Sequence, residues 1–127
     1  MMSTEALNLI NNLLKSIGIP YEFMRWNSGW PAEGYYVTGE CIEHKSQTLE
    51  ENGHQENTFI LRAYTRGDWL LLEEAKTKIK RSISQTAILP NGNGIAVFYD
   101  STTQVPTGDM QLKSIKINLS IQEWSVS

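Results

Sequence analysis

Cys41, His44 and His54 are the only cysteine and histidines of the chain, and the first chemistry they suggest is metal binding. A structural zinc site takes four ligands, usually with closely spaced Cys or His pairs. Here Glu40 or Glu43 would have to complete the set, yet neighbouring residues of a strand point to opposite faces. A cysteine nucleophile needs a base, a third group to orient that base, and a lowered thiol pKa. Glu40 and Glu43 would act in the opposite sense, because neighbouring carboxylates disfavour a thiolate. Cys41 therefore reads as a buried thiol and the two histidines as solvated imidazoles. Carboxylate pairs occur at Glu50–Glu51 and Glu73–Glu74. The first lies in a polar stretch with no apolar walls to raise a pKa. The second falls in the first turns of a helix, where the dipole accounts for it. No catalytic, cofactor-binding or metal-ligating residue is assigned, and no enzyme activity is expected.

Three further patterns have simple structural readings. Asn91-Gly92-Asn93-Gly94 has the composition of a phosphate nest, but a phosphate loop opens into a helix and this one opens into a strand. It reads as a hairpin turn, because Asn and Gly tolerate positive φ. Arg66-Gly67-Asp68 spells an adhesion tripeptide, and a bend followed by a helix cap explains all three residues. Tyr21, Phe23, Tyr35, Tyr36 and Tyr64 invite comparison with the aromatic platforms of RNA-binding sheets. Only Arg25 and Arg62 lie among those strands, and the basic run from Lys76 to Arg81 sits at a helix end. Specific nucleic-acid binding is not expected.

What remains is contact chemistry. Trp26, Trp30, Trp69 and Trp124 all fall near element ends or turns. Tryptophan buries a large area at low entropic cost and is favoured at interfaces. The polar stretch 45–57 carries Glu50, Glu51 and Glu56, which suit pairing with basic residues of a neighbour. Trp30, Glu50, Glu51, Glu56 and Trp124 are the expected interface residues.

The composition agrees. The chain has 127 residues and a net charge of −3, with 40% hydrophobic and 20% charged residues. This length suits a single domain with an adequate core, and the apolar content excludes a disordered chain. No apolar run approaches a membrane span. A lone cysteine allows no internal disulfide. Net negative charge gives no general attraction to nucleic acid or an anionic membrane. Met1 to Leu14 lacks the basic start of a secretory signal, so the chain is expected to stay in the cytoplasm or in an assembly built there.

These residues need elements to position them. Leu7, Ile10, Leu14 and Ile17 predict a helix that starts near Ser3 or Thr4 and ends before Gly18 and Pro20. Residues 21–26 and 35–44 read as strands that could pair as a hairpin across a turn-rich segment containing Trp30. Residues 58–64 return to strand after the 45–57 loop. Asp68 predicts the cap of a second helix, with Leu72, Ala75, Ile79 and Ile83 inward and Glu74–Lys78 as an i,i+4 pair. Strands follow at 86–89 and 95–99, then a loop at 100–109 with Pro106 and Gly108. A final strand lies within 112–126, where Ile115, Ile117, Leu119 and Ile121 alternate with polar residues. The order α-β-β-β-α-β-β-β predicts an α+β fold, one antiparallel-rich sheet covered by two helices.

Several stretches also carry a family likeness: Ile19-Pro20-Tyr21-Glu22-Phe23, Tyr36-Val37-Thr38-Gly39-Glu40 and Thr58-Phe59-Ile60-Leu61. So do Tyr64-Thr65-Arg66-Gly67 leading into Leu72-Glu73-Glu74-Ala75-Lys76, Ile95-Ala96-Val97-Phe98-Tyr99, Val105-Pro106-Thr107-Gly108-Asp109, and Ile117-Asn118-Leu119 with Glu123-Trp124. Across roughly residues 5–126 the chain resembles the tail-completion (tail-terminator, head-to-tail joining) proteins of long-tailed bacteriophages and prophages of Gram-positive bacteria. The resemblance implies a sheet flanked by helices and a non-catalytic role. It also implies assembly into a ring, commonly a hexamer, at the head-proximal end of the tail. The tail tube protein and the head-tail connector would be its partners, and the virion neck its location. Other neck or tail-tube subunits, and a small nucleic-acid-binding domain, are the alternative readings.

Overall fold

The computed structural model describes residues 4–42 and 54–124. Helix α1 spans Thr4–Ser16 and helix α2 spans Trp69–Ser82. The strands are β1 (Tyr21–Phe23), β2 (Tyr35–Ile42), β3 (His54–Thr65), β4 (Gln85–Ile88), β5 (Gly94–Val105) and β6 (Lys113–Trp124). They form one six-stranded sheet in the order β1-β2-β3-β6-β5-β4. The α+β class and the element order match the reading of the sequence.

Local chemistry explains the helices. Asp68 is extended at φ −75° and ψ 143°, and its carboxylate accepts from the Leu70 N–H at 3.0 Å. Lys80 and Arg81 occupy the last turn, where they complement the dipole. The ion pair on α2 is Lys76–Glu73 at 2.7 Å, an i,i+3 pair in place of the expected i,i+4 pair Glu74–Lys78. Ala6, Ile10 and Leu14 of α1 and Leu72, Ala75 and Ile79 of α2 are buried on one face of the sheet. Phe59, Leu61, Val97, Ile117, Leu119 and Ile121 meet them there. The α1 C-terminus closes where Gly18 adopts φ 88°, and Tyr21 from β1 donates its hydroxyl proton to Asn11 of α1.

Three features differ from expectation. β1 and β2 do not form a hairpin: they pair parallel, with Tyr21 opposite Val37 and Phe23 opposite Gly39. Parallel neighbours need a connection that returns along the strand, which residues 24–34 provide without a helix. Residues 54–57 of the expected 45–57 loop begin β3, while 45–53 lie outside the described residues. Residues 100–105 of the expected 100–109 loop continue β5, through a bulge between Tyr99 and Ser101. The connection proper is 106–112. The last strand is bounded by Lys113 and Trp124 within the broader 112–126 window.

Candidate interaction surface

Register and alternation divide the aromatic residues between the two faces. Val37, Ala63 and Ile115 are in register and face the helices. Tyr36 and Tyr64, one residue away and opposite each other, therefore project from the other face, which no described helix covers. Tyr21, Phe23 and Tyr35 sit on the helix side. The five aromatics do not make one platform.

On the uncovered face the β1–β2 crossover folds back over the sheet. Trp26 stacks on Tyr36 with ring centroids 5.0 Å apart and planes 16° apart. Tyr36 stacks on Tyr64 at 5.1 Å, and Trp30 tilts against Tyr36 at 5.2 Å. Tyr36 thus touches three rings. The crossover is further tied by Glu22, whose carboxylate accepts from Ser28 Oγ at 2.8 Å and from the Asn27 N–H at 3.3 Å. Trp26 Nε1 donates to the Gly29 carbonyl at 3.1 Å. Burial, with the neighbouring Tyr64, pushes the Tyr36 phenol above its usual pKa, and Arg66 pulls against that shift. It stays neutral near pH 7.

Three connections meet at the same end of the sheet, because β2 and β6 start there and β3 and β5 finish there. They are the crossover 24–34, the turn 66–68 into α2, and the loop 106–112. Arg66 joins them. Its guanidinium lies 5.7 Å from the centroid of the Trp30 ring and 3.3 Å from the Asp109 carboxylate. Lys113 Nζ donates to the Gly67 carbonyl at 2.8 Å, and Thr65 Oγ1 donates to the Gly34 carbonyl at 2.7 Å. Asp109 accepts from the Gln111 N–H at 2.9 Å. That bond first, and Arg66 second, hold its carboxyl below the usual carboxylate range. A cleft of about 240 Å³ is lined by Trp26, Ser28, Gly29, Trp30, Tyr36, Arg66 and Leu112.

This end also shows large apolar side chains to solvent. Met110 is 99% exposed, Leu70 65%, Trp30 48% and Trp69 37%. Rigidly held aromatics beside exposed aliphatic groups and an ion pair are the make-up of a docking patch. The patch offers aromatic and aliphatic surface with one ion pair, and among its described residues no nucleophile, base and orienting group meet.

Of the expected interface residues, Trp30 lies in this patch. Glu56 is exposed in β3 opposite Gln122, and Trp124 ends β6 opposite His54 and Gly94, both at the far end of the sheet. The Trp124 indole covers Gly94 closely enough to leave no room for a Cβ there. Glu50 and Glu51 lie outside the described residues, as does His44. Cys41 sits half-buried in β2 opposite Phe59, five ladder positions from His54. Among the described residues no three His, Cys, Asp or Glu side chains converge as a metal site. Arg66, Tyr36, Tyr64 and Met110 were not singled out as contact residues. A Trp-x-x-x-Trp spacing in a Gly/Pro-rich segment was the available signal for the crossover; the Tyr36–Tyr64 pairing needed the strand register.

No protein-family model matches this chain, and no curated protein matches it. Solved structures do. One, which carries only a sequence identifier for a name, matches 100% of this chain and 99% of its own at 15% identity and a TM-score of 0.70. A chain from the virion of a native gene transfer agent particle matches 95% of this chain and 92% of its own, at 10% identity and a TM-score of 0.64. Over nearly its full length, this chain is similar in fold to a subunit of that virion.

Proposed function

We propose that the chain is a non-enzymatic structural protein of a phage-type virion, which completes the tail tube and joins it to the head connector as a ring subunit. The observation that carries this reading is the fold shared with the gene transfer agent virion chain across 95% of the present chain. The tail-completion resemblance at Tyr64-Thr65-Arg66-Gly67 and Val105-Pro106-Thr107-Gly108-Asp109 supports the finer role. These two stretches supply Arg66 and Asp109, whose ion pair organises the docking patch. Closed rings arise when one surface of a subunit fits a different surface of the next. The two sheet ends differ in this way: one presents Trp30, Leu70 and Met110, the other Glu56 and Trp124.

Electron microscopy of particles made without the protein tests the role. Free heads beside overlong or unjoined tails are expected. Absent tails would instead indicate a tube subunit, and normal virions would refute the reading. Light scattering of the purified chain with its tail tube protein tests the partner. Reversing the charge of Glu50 and Glu51 together is expected to impair ring formation or joining, and unchanged tail assembly counts against their role.

A further inference from the structure

The two edges of the sheet are unequal. At one edge β1 has three residues, and the chain leaves it at once: the Arg25 N–H turns back to the Phe23 carbonyl at 2.8 Å, and Met24 takes φ 71°. At the other edge β4 covers only residues 94–97 of β5. Residues 98–105 of β5 pair with β6 on one side and with no described strand on the other.

The direction of the free peptide groups follows from the ladder. The Leu89 N–H donates to the Asn93 carbonyl at 2.8 Å, so residues 93, 95 and 97 point their peptide groups towards β4. Asp100 is the extra residue of the bulge and shifts this phase by one. Beyond it, Thr102 and Gln104 direct their N–H and C=O groups away from β6, while Thr103 directs its own towards β6. The segment Ser101-Thr102-Thr103-Gln104-Val105 has no charge, no Gly and no Pro. Natural edges are usually guarded by Lys, Pro or covering loops; here, among the described residues, Asp100 at the bulge and Pro106 just past Val105 flank the segment and leave its middle unguarded.

We infer that this edge is a self-pairing surface, on which β5 of a second copy adds antiparallel across a two-fold axis. A continuous head-to-tail sheet would need a second edge of similar length, and the three-residue β1, ended by the turn back at Arg25, does not offer one. A two-fold contact uses the same edge twice. Only outward-pointing residues exchange hydrogen bonds. The register that uses both of them sets Thr102 opposite the partner's Gln104 and Gln104 opposite the partner's Thr102. Thr103 then meets its own copy at the axis, Ser101 faces the partner's Val105, and the two Asp100 carboxylates stand six strand positions apart, about 20 Å. No like charges oppose each other in that register.

Sedimentation equilibrium over a concentration series of the purified chain reads the pairing, and it does not depend on the virion role. Wild type is expected to dimerise reversibly. Thr103→Lys places two ammonium groups at the axis and is expected to raise the dissociation constant at least tenfold. Gln104→Pro removes only an outward N–H, so the fold is kept and the same loss is expected; unchanged circular dichroism verifies the fold. In hydrogen exchange the Thr102 and Gln104 amides should slow as concentration rises, whereas the Thr103 amide stays slow throughout. A wild type that remains monomeric at every concentration, or variants that dimerise as tightly as wild type, overturns the inference. Protection of Thr102 and Gln104 only after a tail tube protein is added also overturns it, and assigns the edge to that partner.

Discussion

Replacing Tyr36 with Leu tests how the crossover is held. Tyr36 touches Trp26, Trp30 and Tyr64 at centroid distances of 5.0, 5.2 and 5.1 Å. Each such ring contact contributes roughly 0.5–1.5 kcal/mol beyond area burial. The pile is part-exposed, so the lower half of that range applies, and loss of all three contacts gives about 1.5–3 kcal/mol. Tyr64→Leu loses one ring contact and is expected to cost about 1 kcal/mol. The two tyrosines are cross-strand partners on one face, so strand propensity and burial changes largely cancel between the variants. In urea, with a slope of about 1.5 kcal/mol/M, Tyr36→Leu should lower the midpoint by about 1–2 M. Hydrogen exchange should also show residues 24–34 opening more often in Tyr36→Leu than in Tyr64→Leu. Equal midpoints for the two variants, or unchanged exchange in the crossover, would refute the claim that Tyr36 pins the connection that makes β1 parallel.

Other perturbations test the remaining contacts. Asp109 has its folded pKa held low, so its contribution is present above the unfolded carboxylate value and lost as pH falls through the lower folded one; nuclear magnetic resonance of the Met110 methyl should report loosening of the 106–112 loop over that acid range, and Asp109→Asn should flatten the profile. Gly39→Ala would put a Cβ 2.6 Å from both Phe59 Cε1 and the Tyr21 hydroxyl, so urea unfolding should show a loss of about 2–3 kcal/mol, against under about 0.5 kcal/mol for Gly29→Ala, which meets nothing within 4 Å. Asn57 is 1% exposed and neither its amide nitrogen nor its oxygen has a hydrogen-bond partner among the described residues, so Asn57→Leu should raise stability by about 1 kcal/mol; a lower unfolding midpoint would show that the amide is satisfied in solution.

Legibility varied with the physics of each segment. Asp68 and the spacing of Leu72, Ala75 and Ile79 announced α2, since a cap and a buried stripe are local properties. Ile115 to Ile121 announced β6 for the same reason. Residues 100–105 read as loop because an edge strand with a solvated side needs few apolar residues, and Asp-Ser-Thr-Thr-Gln supplies none. Asn57 reads as loop but is buried opposite Ile121, because a polar residue at an inward strand position breaks the apolar alternation by which strands are read. That Trp30 meets Tyr36 and Arg66 at one end of the sheet while Glu56 and Trp124 lie at the other was not legible, because strand alternation carries no information about which end of the sheet a residue occupies.

Periodicity, caps and turn residues thus settled which stretches become helix or strand, and the charge and composition narrowed the chemistry to contacts. Strand partners and directions came from elsewhere. The parallel pairing of β1 with β2, the meeting of Arg66 with both Trp30 and Asp109, and the pairing of β5 with β6 through a bulge all join residues that lie apart along the chain. Such pairings are chosen by the burial of one whole sheet face beneath two helices, a collective energy that no short window of residues contains.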